Sequence, residues 1–489
     1  MLRMDLEAAR ALLKDAIQAS RKLLACRRSF DVSNPATAEV IASVPDCHAR
    51  EVRVALDRAD AIQARWAEVS PGDRWQALVR WRTLISESLD ALAVVLTMEQ
   101  GKPIAEAKAE ILSGCRYLEW FAEEAKRISG EIVPPPNSGV LGFVIKRPVG
   151  VVAAITPWNF PCGMMLRKVA PALAAGCAVI AKPAEQAPLS ALLLQWLANE
   201  AGLPRGVFQV LPSSQAAVIG ESLMQSPVIR KLSFTGSTRT GKVLIEQSAA
   251  TVKLLSLELG GNAPFIVFPD ANLDSAVSAA IRAKFRNAGQ VCIAANRIYV
   301  HAAIADSFLE KFAAAVSRLK LGNGLDSDTD IGPLINGAAI EKIESYIRDA
   351  LRLGGRLVLG GSRSCLGPHF FQPTILLGEP SEPKPMCDDE IFGPVAHIFH
   401  FSDHSDILRR SNNTRYGLAA YIWTENYGKG WRLAESLEFG MVGINDALTS
   451  NVAAPFGGLK ESGIGREGSA LGIDEYLERK YISVGCCIE

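Results

Sequence analysis

Between Val149 and Leu259 the chain repeats one beat, a short β-branched run followed by a stretch with helical spacing. VGVVAAI (149–155), CAVIAK (177–182), VFQVL (207–211), IRKLSF (229–234) and KLLSLEL (253–259) read as strands. Helices over roughly 163–175, 188–201, 215–225 and 239–249 separate them. A strand that returns through a helix lies parallel to its predecessor, and the helices then cover both faces of the sheet. Few architectures satisfy that. Such sheets hold ligands beyond the carboxyl ends of their strands, so the loops at 156–161, 182–188, 212–214 and 235–238 share one rim. A second α/β series opens at PFIVF (264–268) and continues with strands near 296–301, 356–359, 395–401 and 418–423. It is expected to pack over the same rim. The fold class is α/β, a parallel-sheet domain joined to a second α/β domain.

Upstream, residues 50–66, 73–96 and 103–126 have helical spacing. Pro134-Pro135-Pro136-Asn137-Ser138-Gly139 then interrupts any regular element. Residues 140–146 and, in the tail, 478–484 alternate like strands, left to pair with each other or with a second subunit. A length of 489 residues suggests about three domains. Lys+Arg and Asp+Glu both number 52, so no overall field attracts a phosphate backbone, and nucleic acid is not expected as a partner. No run of about 18 uncharged apolar residues predicts a membrane span. Asp5, Glu7 and Asp15 stand where a signal peptide needs a basic, then apolar, start, so an amphipathic helix is expected there. Ten cysteines without spaced CxxC pairs fit a reducing cytoplasm better than a disulfide framework.

Several motifs imitate chemistry. Gly236-Ser-Thr-Arg-Thr-Gly241-Lys242 has the phosphate-loop spacing, but Val243 replaces the hydroxyl that binds Mg²⁺, so nucleoside triphosphate hydrolysis is not expected. A Gly-rich turn that follows a strand and opens a helix still suits a diphosphate. Gly463-Ile-Gly465-Arg-Glu-Gly468 matches GxGxxG without a preceding strand and reads as a glycine-rich turn. His397 and His400 fall on opposite faces of an alternating segment before His404, so no metal site is expected. Cys486 and Cys487 read as free terminal thiols.

Three other segments form a set. Thr156-Pro157-Trp158-Asn159-Phe160-Pro161 is a proline-pinned loop that presents an amide donor, Asn159. Glu258-Leu259-Gly260-Gly261 puts a carboxylate at a strand end beside two glycines that permit close approach. Phe285-Arg286-Asn287-Ala288-Gly289-Gln290-Val291-Cys292 carries a cysteine in a Gly-containing turn. Singly, a capping Asn, a strand-end Glu or a buried Cys explains each. Together they supply nucleophile, base and amide donor, the parts of acyl transfer through a covalent intermediate.

At these residues the sequence resembles the aldehyde dehydrogenase superfamily. TPWNFP (156–161), KPAE (182–185), FTGSTRTG (234–241), ELGGNAP (258–264), FRNAGQVC (285–292), EIFGP (390–394) and PFGGLKESGIGREG (455–468) stand in the family's order and spacing. Within it, the segments around Cys292, Gly457 and the closing GIDEYLERKY most resemble succinate-semialdehyde dehydrogenases. The resemblance implies a Rossmann-like NAD-binding domain from 1–129 and 149–256 and a catalytic domain from 257–450. It also implies a small β oligomerisation flap from 130–148 and 470–489, building a homodimer or homotetramer. Cys292 is implied as nucleophile, Glu258 as general base and Asn159 as oxyanion donor. Lys182 and Glu185 are implied at the adenosine ribose, Ser237 at the diphosphate, and Glu390 with Phe392 at the nicotinamide riboside. Ile155, Trp158, Gly236 and Leu259 complete the cofactor site.

The expected cofactor is NAD, because the Glu185 carboxylate accepts from free ribose hydroxyls and repels a 2′-phosphate. The resemblance implies a small, carboxylated aldehyde as substrate, succinate semialdehyde, with glutarate semialdehyde or an uncharged aldehyde as the alternative. It places Arg167, Arg286 and Ser450 at the far carboxylate, which guanidinium forks suit. Two departures stand out. Val291 replaces a common Thr before the nucleophile, and Ala294 replaces a second cysteine, so a disulfide switch with Cys292 is not available.

Overall fold

The computed structural model describes residues 2–134, 139–378, 389–447 and 450–485. The five strands expected between 149 and 259 form as Val151–Ile155, Val179–Lys182, Phe208–Val210, Ile229–Thr235 and Leu254–Glu258. All pair in parallel, with Val151–Ile155 central between Ile229–Thr235 and Val179–Lys182. A sixth strand, Gly463–Ile464, closes the edge antiparallel to Leu254–Glu258, with Gly463 opposite Glu258. This amends the reading of the GxGxxG match as a turn alone. Its glycines let a distant loop dock against the strand, because a Cβ at Gly463 would overlap the Leu257 carbonyl oxygen.

Four residues separate Glu258 from Ala263–Val267, an interior strand of a seven-stranded sheet. Its order is Arg356–Leu359, Thr374–Leu377, Val395–Phe401, Ala295–His301, Ala263–Val267, Ala419–Trp423, Met441–Ile444. Only the edge strand Arg356–Leu359 runs antiparallel to its neighbour. Thr374–Leu377 and Met441–Ile444, four residues each, were not expected from sequence. Separate apolar clusters pack on the two sheets, one drawing on residues up to Leu259 with Ile473 and Tyr476 from the tail, the other on residues from Ala263 to Phe456.

The helices upstream form as Ala49–Glu68, Pro71–Glu87, Leu89–Gln100 and Ile104–Ala125, and Leu2–Leu24 precedes them. The single helix expected over 73–96 is thus two. Ser88 divides them, its N–H donating to the Leu84 carbonyl and its own carbonyl accepting from Leu92 N. Leu477–Gly485 pairs antiparallel with Val140–Pro148 along nine residues, and Glu131–Val133 adds a third strand. The two alternating segments therefore pair with each other, and the three strands together carry exposed Ile132, Leu141 and Tyr481. Cys486, Cys487 and residues 135–138 of the proline-rich break lie outside the described residues. Among the described residues no helix is long and apolar enough to cross a membrane.

Candidate active site

The loop after Val151–Ile155 is clamped from beneath. Pro161 occupies the first turn of the helix Pro161–Ala175, where its missing N–H costs nothing. The next two N–H groups, on Cys162 and Gly163, donate to Glu110 Oε1 at 2.9 Å each. Glu110 in turn pairs with buried Lys102 at 2.6 Å, and Lys102 Nζ donates to the Asn159 carbonyl at 2.7 Å. The Asn287 amide reaches the same carbonyl at 3.0 Å. Asn159 Nδ2 donates one hydrogen to the Gln290 carbonyl at 2.9 Å. Its second amide hydrogen has no acceptor among the described residues, and the side chain is buried.

The turn Arg286–Gly289 that precedes the cysteine is strained. Asn287 (φ 51°), Ala288 (φ 55°) and Gly289 (φ 73°) are all left-handed, a conformation costing about 1 kcal/mol or more at each of the two non-glycine residues. Asn287 N donates to Glu106 Oε2 at 2.9 Å, and Gln290 N donates to the Asn287 carbonyl at 3.0 Å. Gln290 Oε1 accepts from Ile335 N at 3.0 Å. Cys292 follows, half-buried and free. A Cβ at Gly261 would overlap its carbonyl oxygen, which is why a residue without a side chain stands there. Burial, with the charges of Glu390 and Glu258, pushes the Cys292 thiol up to about 12, against the pull of Arg167 and Arg286.

Glu258 ends its strand with Oε2 buried and without a hydrogen-bond partner. Burial first, then repulsion from Glu467, holds its carboxyl well above the usual carboxylate range, while Lys168 and Arg167 oppose the shift. Lys168 Nζ donates to Glu467 Oε1, and Arg167 lies 3.7 Å from Glu467 Oε2.

Cys292 lines two cavities. The first, about 350 Å³, is also lined by Tyr117, Phe160, Arg167, Arg286, Ser450 and Phe456. The Arg167 guanidinium sits 4.8 Å from the Tyr117 ring and 4.3 Å from the Phe456 ring, and donates to Ser450 Oγ at 3.4 Å. Its Nε and Nη1 are buried without hydrogen-bond acceptors. Arg286 lies 5.4 Å over the Phe160 ring. The second cavity, about 360 Å³, is a cleft lined by Trp158, Gly236, Ser237, Leu259, Glu390 and Phe392 with Cys292. Trp158 and Phe392 meet edge to face at 5.5 Å. Glu390 Oε1 accepts from Gly261 N at 3.1 Å, and burial lifts its carboxyl to about 7. Ser237 caps the helix Thr238–Ser248, accepting from Thr240 N at 3.2 Å.

Of the residues expected from sequence, Arg167, Arg286 and Ser450 meet in the first cavity and six cofactor residues meet in the second. Ile155 and Lys182 pair across adjacent strands further along the rim, where Lys182 Nζ bonds Glu185 Oε2 at 3.2 Å. Glu258 lines neither cavity. Lys242, the phosphate-loop lysine, pairs with Glu461 at 2.8 Å. His397 is buried with Nδ1 2.8 Å from the Tyr346 hydroxyl, and His400 is half-buried. Lys102, Glu110, Tyr117, Lys168, Phe456 and Glu467 escaped sequence reading. The only local signal was the spacing of Glu106, Glu110, Ser113 and Tyr117, which puts one helix face toward the cavity.

The cleft suits a dinucleotide. A helix N-terminus opens at Ser237 as a phosphate seat. Thr235 Oγ1 is buried in the wall without a partner.

Residues 24–482 match the aldehyde dehydrogenase family. The chain is 50% identical over 457 residues to the succinate-semialdehyde dehydrogenase [NADP(+)] of Escherichia coli, covering 94% of each. It is 50% identical over 458 residues to a glutarate-semialdehyde dehydrogenase of Pseudomonas aeruginosa, again covering 94% of each. The crystal structure of succinate-semialdehyde dehydrogenase from Burkholderia pseudomallei superposes with a TM-score of 0.92 at 50% identity, over 94% of this chain and 95% of that one.

Proposed function

This chain belongs to the aldehyde dehydrogenase family and is an NAD(P)-dependent aldehyde dehydrogenase, and we propose that it oxidises an ω-carboxy aldehyde, succinate semialdehyde before others, through a covalent adduct on Cys292. One observation carries this reading. Cys292 stands where a cavity rich in arginine meets a cleft shaped for a dinucleotide.

In the proposed sequence, Cys292 Sγ gives up its proton to solvent water in the cavity and adds as the thiolate to the carbonyl carbon. The oxyanion formed is held by the second Asn159 amide hydrogen and the Cys292 backbone N–H. An oxyanion donor of this kind stabilises the transition state by roughly 3 kcal/mol. A nicotinamide cofactor in the second cleft supplies the acceptor for the hydride. The adduct on Cys292 is then a thioester. Glu258 takes a proton from water as the water attacks, and the thiol leaves as the carboxylate product forms. Arg167 and Arg286 bind the far carboxylate, and the buried Arg167 guanidinium keeps Nε and Nη1 without hydrogen-bond acceptors among the described residues. Pairing of copies through the exposed three-stranded flap belongs to the same proposal.

Arg167→Ala and Arg286→Ala should each lower kcat/KM for succinate semialdehyde by about tenfold to a hundredfold more than for butanal, the range of a charge-assisted hydrogen bond. Steady-state kinetics on both aldehydes tests this, and equal losses on both would refute the carboxylate site.

NAD is proposed over NADP, although the E. coli relative is named for NADP(+). Glu185 engages Lys182, so that ammonium is not free to balance a 2′-phosphate, and the carboxylate repels one. Glu185→Ser should raise the NADP-to-NAD ratio of kcat/KM about tenfold, a typical cost of juxtaposed like charges. A wild-type enzyme that uses both cofactors equally would remove the argument.

A further inference from the structure

The helix Ile104–Ala125 lines the first cavity along one face, with Glu106, Glu110, Ser113, Arg116 and Tyr117. Its carboxylates are engaged. Glu110 holds Lys102 and two backbone N–H groups, and Glu106 accepts from Asn287 N. Arg116 differs from the other two arginines on this wall in exposure, since Arg167 is buried and Arg286 half-buried. It is exposed at the cavity mouth, and no hydrogen bond or ion pair holds its guanidinium among the described residues. Arg167 is buried beside the thiol, and Arg286 is near enough to stabilise the Cys292 thiolate. Three arginines therefore line the cavity that Cys292 also lines, from the buried Arg167 through the half-buried Arg286 to the exposed Arg116.

We propose that Arg116 determines substrate length: it is the anchor for the carboxylate of an ω-carboxy aldehyde longer than four carbons. The inference rests on the carboxylated-substrate reading above. A four-carbon chain attached to Cys292 puts its carboxylate between Arg167 and Arg286. One further methylene carries the carboxylate about 1.3 Å outward, toward solvent and toward Arg116. The Tyr117 ring packs on Arg167, so the inner pair cannot follow the longer chain, whereas the exposed Arg116 side chain is free to turn toward it. An exposed charge contributes modestly and is screened by salt, so the effect belongs to selectivity between substrates.

The test compares kcat/KM for succinate semialdehyde, glutarate semialdehyde and butanal in the wild type, Arg116→Met and Arg116→Lys. Each value is divided by the same preparation's value for butanal, which removes differences in folded fraction. The Met variant keeps the apolar stem of the side chain and loses the charge. The glutarate-to-succinate ratio is expected to fall about fivefold in Arg116→Met, to fall less than twofold in Arg116→Lys, and to converge on the variant's value when the wild type is assayed in 0.5 M KCl, where screening is short-ranged. A ratio that stays within twofold of wild type in Arg116→Met overturns the inference. If the wild type instead shows no preference for either acid over butanal, the carboxylate reading itself fails, and the inference falls with it.

Discussion

Cys292→Ala should abolish aldehyde oxidation, lowering kcat by roughly 10⁴-fold or more, the scale on which removal of a covalent nucleophile acts. The change is small in every other respect. Among the described residues no hydrogen bond holds the sulfur, and the residue is only partly buried, so the melting temperature should stay within a few degrees of wild type. Cofactor binding, read by quenching of protein fluorescence on titration with NADH, should persist because the other residues of the cleft are untouched. In the wild type, acid quenching during turnover followed by mass spectrometry should find the acyl group on the peptide that carries Cys292. The thiol is pushed up to about 12 mainly by burial, so at neutral pH it rests protonated. Alkylation by iodoacetamide should therefore quicken about tenfold per pH unit between pH 7 and 10, in line with the thiolate fraction. Residual oxidation by the alanine variant at a tenth of the wild-type rate would mean that the sulfur is not the reacting atom.

Glu258→Gln should separate the two half-reactions. Acylation needs the sulfur and the oxyanion donors, and hydrolysis needs a base, so the variant is expected to release one NADH per active site in a burst and then turn over about 10² to 10⁴ times more slowly. The pH profile follows from the environment of the carboxyl. Burial and Glu467 raise its folded value above the ordinary carboxylate range, and a base works only when ionised. Wild-type deacylation should accordingly rise as pH climbs through that raised value and be lost as pH falls below it, and the Gln variant should lack this limb. Rapid-mixing measurement of NADH absorbance reads both. A Gln variant that shows neither burst nor altered pH dependence would assign the hydrolytic base elsewhere.

The parts legible in sequence were those whose cause is local. Alternation of β-branched runs and helices identified every strand of the six-stranded sheet except Gly463–Ile464, a two-residue strand joined by contacts some 200 residues distant. Asn159, Glu258 and Cys292 were legible because each stands beside prolines or glycines that no ordinary strand or helix end requires. The short strands Thr374–Leu377 and Met441–Ile444 were not, and neither was the break at Ser88. These depend on neighbours more than on propensity.

The chain's own order thus determined the parallel sheets and the rim on which loops gather, and supplied the candidate residues of the site, because hydrophobic period and turn residues act over a few positions. Tertiary structure alone decided the electrostatics. Lys102 reaches the Asn159 carbonyl across 57 positions, and Lys168 reaches Glu467 across 299. Arg167 is buried because Tyr117 and Phe456, far apart in the chain, enclose it. Charge and desolvation act through space and depend on which groups exclude water together, a property that no window of sequence contains.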